Sequence, residues 1–97
     1  MRTATIDGFE YVILASLART FEPCHRRQIP VLLVEWDKVD CGEWREATIL
    51  PQDPDFVLSD TELERQLMNL DPIELVKACI AGGVGERVER VSKNVHA

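Results

Sequence analysis

The segment TATIDGFEYVILASLARTF, residues 3–21, decides the fold because it supports both a hairpin and a helix. Asp7-Gly8 lies between two apolar runs, and Asp-Gly favours the type I′ turn of a β-hairpin, whose two central residues need positive φ. Asp7 and Glu10, however, also have the spacing of a helix capping box. The turn signal alone therefore leaves both structures open.

The spacing of the residues after Gly8 favours the helix. Six residues recur at the intervals of one helix face: Phe9, Val12, Ile13, Ser16, Leu17 and Phe21. Ala15 and Ala18 are strong helix formers, and Pro23 would end the helix. We therefore predict a helix over residues 8–21, with the hairpin as the alternative.

Residues 29–50 predict a β-hairpin. The run IPVLLVEW at 29–36 is continuous, apolar and rich in β-branched residues, as in a buried strand. Asp40-Cys41-Gly42 supplies the turn, and residues 43–50 return as the second strand. Two prolines then make residues 51–55 a loop, because proline is excluded from the interior of ladders and helices.

The C-terminal third predicts three short helices. Capping-box spacing at Ser59–Glu62 opens one helix that ends near Leu70, and the same spacing at Asp71–Glu74 opens a second that stops at Gly82-Gly83. A last helix is predicted from about Val84 to Val95, where the valines form a narrow stripe. We expect this stripe to dock on the domain's own core rather than on a second copy.

Together these elements predict a single α+β domain over residues 1–97. Its parts are an N-terminal helix, a small antiparallel β-hairpin or sheet, and three short C-terminal helices packed on one face. The opposite face of so small a sheet needs cover, so a homodimer and a monomer are equally open expectations.

The chain carries a net charge of -6, which is concentrated in its middle. Residues 35–74 contain twelve acidic and three basic side chains, a net charge of -9, whereas both flanking segments are slightly basic. This acidic field disfavours direct binding of nucleic acid and of anionic membranes, and it favours a protein partner with a basic surface.

The cysteines and the N-terminal residues bear on the compartment. Cys24, Cys41 and Cys79 are odd in number, which argues against a disulfide framework. The first apolar run is interrupted by Glu10 and lacks the pattern of an export signal. No run approaches the roughly 18 apolar residues of a membrane span. We therefore expect a cytoplasmic protein.

None of the local motifs predicts an enzyme. Cys24 and His25 are adjacent in sequence, so their side chains cannot readily converge on one metal ion or one reacting atom. The glycines between 82 and 85 match neither a phosphate loop nor a dinucleotide loop. Paired carboxylates are expected by chance in so acidic a segment. We predict no catalytic residue, no metal and no cofactor.

One suggestive pattern surrounds the predicted turn at Gly42. Trp36 and Trp44 flank this turn amid several carboxylates, and tryptophan is over-represented among the anchors of protein interfaces. A ring of carboxylates around an aromatic anchor suits a basic partner. The predicted partner-binding residues are Trp36, Asp37, Asp40, Glu43, Trp44, Glu46, Asp53 and Asp55.

These features predict a small acidic protein-binding module, an inhibitor or adaptor that occupies a basic surface of a partner, for example one that binds nucleic acid. Phage-encoded inhibitors of host defence, including anti-CRISPR-type proteins, share this size and acidity, although no motif identifies one here. Two alternatives remain open. One is a small DNA-binding transcriptional regulator that uses the C-terminal helices, with Arg87 and Arg90 exposed. The other is a structural or assembly component.

Overall fold

The computed structural model describes residues 1–53 and 57–88, which form an antiparallel sheet with two helices. The five strands found in these residues lie side by side in their order along the chain. The elements are β1 (Arg2–Ile6), β2 (Phe9–Glu22), β3 (Arg27–Lys38), β4 (Arg45–Ile49), α1 (Asp60–Met68), α2 (Pro72–Gly82) and β5 (Glu86–Arg87). The predicted fold, with an N-terminal helix and three C-terminal helices, is therefore wrong.

The N-terminal segment is a hairpin and not the predicted helix over residues 8–21. Asp7 (φ 51°) and Gly8 (φ 85°) both have positive φ, which a type I′ turn requires and a helix excludes. The turn pairs Ile6 with Phe9, and the chain then continues as a strand. The helical spacing does not determine the structure because β2 pairs with β3 from Tyr11 to Glu22, and such tertiary pairing outweighs a weak local propensity.

The central strands match the prediction for residues 29–50. The predicted strand at 29–36 is confirmed and lies within the longer β3, and its antiparallel pairing with β4 confirms the hairpin through Gly42. The loop between β2 and β3 is closed by Glu22, whose carboxylate accepts hydrogen bonds from the amides of Cys24 (3.0 Å) and His25 (2.7 Å). These contacts fix the far end of the long two-stranded ribbon.

Two of the predicted C-terminal helices are confirmed. α1 opens on a capping box in which Ser59 and Glu62 bond each other's backbone amide. Those hydrogen bonds from Ser59 hold the pKa of Glu62 below its usual value. α2 begins after Asp71 with Pro72 at its first position and is capped by Gly83. Within the described residues no helix has the length and apolar character needed to cross a membrane.

Both helices pack on one face of the sheet and complete the core with it. Leu67 of α1 and Val76 of α2 are buried in the same cluster as residues of the three N-terminal strands. The buried members of this cluster are Ile6, Tyr11, Ile13, Leu32, Val34, Trp36, Leu67 and Val76. By strand alternation and register, all of the sheet residues in this set project from the same face.

The third predicted helix, from Val84 to Val95, is wrong over the part that the structure describes. Residues 86 and 87 form β5 beside β4, and the amide of Val88 donates to the carbonyl of Trp44 at 2.9 Å. Gly85 has a φ of 128°, which no helix contains, and its backbone lies against the ring of Trp36. The rest of this predicted helix lies outside the described residues.

Candidate functional site

The sheet turns one face to the helices and the other face away from them. Side chains alternate between the two faces along a strand, and Ile13, Val34 and Trp36 point to the helices. We call the opposite side the open face. Its members on the strands near the turn between β3 and β4 are Thr3, Thr5, Glu10, Val12, Leu14, Ser16, Leu33, Glu35, Asp37, Glu46, Thr48 and Glu86.

Three carboxylates lie in one row across the open face. Glu35 of β3 is directly opposite Glu46 of β4, and Glu46 is directly opposite Glu86 of β5. We call these three residues the carboxylate row. Neighbouring strands are about 4.8 Å apart, so the row places like charges at close spacing. Within the described residues neither Glu46 nor Glu86 forms an ion pair.

An apolar strip adjoins the carboxylate row on the same face. It consists of Val12, Leu14 and Leu33, all of them partly buried, and Leu14 is directly opposite Glu35. None of the open-face members given above is basic, and Glu10 adds a further carboxylate. The part of this face near the turn between β3 and β4 therefore combines apolar area with charge of a single sign.

The two predicted aromatic anchors are not at the centre of this face. Trp36 is only 4% exposed and belongs to the core beneath the helices. Trp44 is partly buried beside β5, where its carbonyl accepts the hydrogen bond from Val88. Trp36 thus has a packing role in the fold and lies on the face opposite the carboxylate row.

Two of the predicted acidic residues hold loops in place. Asp37 is 6% exposed, and its carboxylate accepts hydrogen bonds from the amides of Gly42 (2.8 Å) and Glu43 (3.2 Å). Asp53 is also buried and accepts hydrogen bonds from the amides of residues 57 (3.2 Å) and 58 (2.9 Å). Both carboxylates are therefore committed to backbone amides of their own chain.

The remaining predicted carboxylates divide between the turn and the sheet. Asp40 and Glu43 are exposed in the turn after β3, where Asp40 has a φ of 62°. Glu46 lies on the open face at the centre of the carboxylate row. Asp55 lies outside the described residues.

The predicted set omits two members of the carboxylate row, Glu35 and Glu86. Glu35 was accessible to sequence reasoning, because the register of a hairpin through Gly42 places it opposite Glu46. Glu86 was not accessible to sequence reasoning, because its position depends on β5. This strand has only two residues, and the spacing of the valines predicted a helix there.

A cavity of about 410 Å³ lies on the other face, between the turn after β3 and the end of α2. Its cationic lining residues are already engaged: the Lys38 Nζ lies 4.0 Å from the centre of the Phe9 ring, and Arg45 donates to the Gly85 carbonyl. Burial raises the pKa of the Cys79 thiol, which makes its nucleophilic thiolate scarcer. The described lining residues show no activated nucleophile.

Across residues 1–53 and 57–88, no three side chains of His, Cys, Asp or Glu converge where they could hold a metal ion. The carboxylate row and its apolar strip are therefore the surface on which we build a functional proposal. Comparison with known proteins adds no family to this picture, since no protein-family model, no curated protein and no solved structure matches the chain.

Proposed function

We propose that this chain is a small cytoplasmic protein-binding module that occupies a basic surface of a partner protein as an inhibitor or adaptor. The carboxylate row is the observation that carries the proposal. The apolar strip supports it by supplying area from which a partner would exclude water. Free thiols at Cys24, Cys41 and Cys79 suit the reducing cytoplasm.

The carboxylate row works against folding, which is why we connect it with function. Like charges directly opposite each other in a sheet are destabilising, and cross-strand pairs contribute about 0.2–1 kcal/mol each. The row contains one such pair in which neither member forms an ion pair within the described residues, Glu46 with Glu86. Features that break a local folding rule tend to lie at functional sites. A cationic partner would remove this repulsion on binding.

The proposed mechanism is competition for a basic surface. Carboxylates spaced by about one strand separation, ~4.8 Å, would occupy arginine and lysine side chains that otherwise contact phosphates. Charge complementarity would speed the encounter, and the apolar strip would hold the complex once formed. A phage-type inhibitor of a nucleic-acid-binding defence protein, in the manner of an anti-CRISPR protein, is one role that this mechanism would serve.

Replacing Glu46 by glutamine is expected to stabilise the isolated protein. The change removes the like-charge pair of Glu46 with Glu86, so we expect the free energy of unfolding in urea to rise by about 0.2–1 kcal/mol. Glu10→Gln is the matched control, because Glu10 lies on the same face opposite Thr5 and not opposite a carboxylate. A gain that persists unchanged at 1 M salt would contradict the electrostatic explanation.

Charge reversal in the carboxylate row is expected to weaken binding of the partner. Wild-type chain immobilised at low salt would be used to capture proteins from host lysate, and each enriched protein would then be titrated in purified form. Glu46→Lys with Glu86→Lys should weaken the titrated affinity by at least about tenfold, since each reversal turns an attraction into a repulsion. The complex should also weaken as salt is raised.

The control for this experiment is Glu64→Lys with Glu74→Lys, which changes the net charge equally on the two helices. This control should retain capture, because both residues lie in the layer on the opposite side of the sheet. Equal loss from both double variants would show that only overall charge matters. Capture that is indifferent both to salt and to the row variants would refute the proposal.

The described part of the element on which the DNA-binding alternative rested, residues 84–88, does not form a helix. This alternative required an exposed helix carrying Arg87, but Arg87 lies on β5 directly opposite Arg45, and the neighbouring Glu86 lies in the carboxylate row. We therefore retain only the protein-binding proposal.

A further inference from the structure

The far half of β2 has an unpaired edge. β1 pairs with β2 only between Phe9 and Ile13, so within the described residues no strand lies beside positions 14–22 on that side. The amide of Val39 donates to the Glu10 carbonyl, which shows that even-numbered residues of β2 direct their backbone groups to β3. The odd-numbered residues after Ile13 therefore direct their backbone N–H and C=O groups to the unpaired side of β2, which we call the open edge.

The outward-pointing backbone groups of the open edge are arranged symmetrically about Ala18. The backbone N–H and C=O groups that point outward belong to Ala15, Leu17, Arg19 and Phe21, and Ala18 lies at their midpoint. If two copies met antiparallel with Ala18 on the twofold axis, Ala15 would face Phe21 and Leu17 would face Arg19. Each of these pairs would exchange two backbone hydrogen bonds.

Neighbouring registers form fewer backbone hydrogen bonds, because they place an outward-pointing residue opposite one that is already engaged or unable to donate. A shift toward the start of β2 would pair Phe21 with Ile13, whose outward groups already face β1. A shift toward its end would pair Ala15 with Pro23, which has no N–H. The register centred on Ala18 therefore pairs all the outward-pointing backbone groups of the open edge and involves no residue outside it.

The side chains along this edge are complementary in the same register. Phe21 and Leu17 are 53% and 40% exposed, and Met68 of α1 is 69% exposed. A groove of about 210 Å³ runs beside the edge under α1; its lining side chains are apolar apart from Arg2 and include Ala15, Leu67, Met68 and Leu70. Because Ala15 would face Phe21 of the second copy, that ring would lie against the groove.

Spacing and charge permit this contact. α1 packs on β3, and two β3 strands would be separated by three strand spacings, about 14 Å. Packed helices need about 8–10 Å, so the two α1 helices would not collide, and the exposed apolar side chains would lie between them. No like charges face each other in this register, and the carboxylate row lies at the opposite edge of the sheet.

We infer that two copies of this chain join along the outer edge of β2, with Ala18 on the twofold axis, into one continuous antiparallel sheet. The Phe21 ring of each copy occupies the groove under α1 of the other. An unpaired strand edge with exposed apolar side chains is a template for such pairing, and a second copy removes it. The inference does not depend on the proposed partner, which would bind at a different edge of the sheet.

Cross-linking tests the register directly. In a background with Cys24→Ser, Cys41→Ser and Cys79→Ala, mild oxidation should convert Ala18→Cys to a covalent dimer. Residues on the axis of a non-hydrogen-bonded pair have Cα atoms about 4.5 Å apart, within disulfide reach. Ser16→Cys, on the same face, should not cross-link, because its two copies would lie about 13 Å apart. Equal cross-linking of both variants would overturn the register.

Sedimentation equilibrium over a wide concentration range tests the dimer itself. Leu17→Lys should give a monomer, because the introduced ammonium group would face Arg19 of the second copy, whereas Leu17→Glu should dimerise at least as well as the wild type. Val84→Lys, a change at an exposed valine that precedes β5 at the opposite edge of the sheet, is the control and should leave the dimer intact. Circular dichroism establishes that each variant is folded. A wild type that is monomeric at every concentration would overturn the inference.

Discussion

Replacing Gly85 by alanine is expected to lower the free energy of unfolding by about 2–6 kcal/mol. Two costs combine: a φ of 128° is one that L side chains rarely adopt, and strained backbone of this kind costs about 1–3 kcal/mol. A Cβ at this position would also lie 2.7 Å and 2.8 Å from two ring atoms of Trp36, and overpacking typically costs about 1–3 kcal/mol. Urea unfolding followed by Trp fluorescence would measure the loss.

Gly83→Ala separates these two costs. Gly83 also has positive φ (66°), but a Cβ there would meet no atom within 4 Å, so only the backbone strain of about 1–2 kcal/mol remains. In the double variant Gly85→Ala with Trp36→Phe, the shortened ring should relieve the clash, so the two losses should be less than additive. Additive losses, or a Gly85 variant no less stable than the Gly83 variant, would contradict the contact with Trp36.

The contact at Gly85 also links the core to the proposed binding surface. Gly85 directly precedes β5, and β5 places Glu86 opposite Glu46. A variant that displaces Gly85 from Trp36 would therefore displace one end of the carboxylate row. Trp36, predicted as a partner anchor, would act on binding through this packing and without touching the partner.

The elements with strong turn or cap chemistry were predictable from the sequence. The capping box at Ser59, the Asp71-Pro72 start and the Gly83 end determine α1 and α2 by local hydrogen bonds and φ preferences that need no tertiary context. The Gly42 hairpin is of the same kind. These predictions are confirmed because the interactions that determine each element join residues that are close in sequence.

The two wrong helices failed because apolar spacing was given more weight than turn chemistry. Asp7-Gly8 is a strong hairpin signal, yet β2 also contains residues at helical intervals, since a long apolar strand satisfies several periods at once. At Gly85 the decisive fact is a contact with Trp36, far away in sequence. No periodicity in residues 84–95 could reveal that contact.

The candidate site could be predicted only in part for a related reason. Segment charge indicated an acidic surface, but whether a carboxylate faces solvent or a backbone amide depends on strand register and loop closure. Glu46 and Asp37 are both acidic residues in the same hairpin, and only the first lies in the carboxylate row. Composition cannot distinguish these two roles.

Replacing Asp37 by alanine is expected to destabilise the protein by about 3–6 kcal/mol, which would distinguish a structural carboxylate from a partner-binding one. Its two oxygens accept hydrogen bonds from the amides of Gly42 and Glu43, and a hydrogen bond to a charged group contributes about 1.5–3 kcal/mol. Asp37→Asn should cost about half as much, because its amide group retains one acceptor and turns a donor toward the second backbone amide.

Asp40→Asn is the matched control for this prediction, since Asp40 is exposed in the same turn and asparagine tolerates its positive φ. Its unfolding free energy should stay within about 0.5 kcal/mol of the wild type. The Asp37→Asn protein, measured where it remains folded, should bind a captured partner with nearly wild-type affinity, whereas the Glu46 and Glu86 reversals should not. An Asp37 variant that keeps its stability but no longer binds the partner would contradict this assignment. It would show that the Asp37 carboxylate contacts the partner and is not needed to hold the turn.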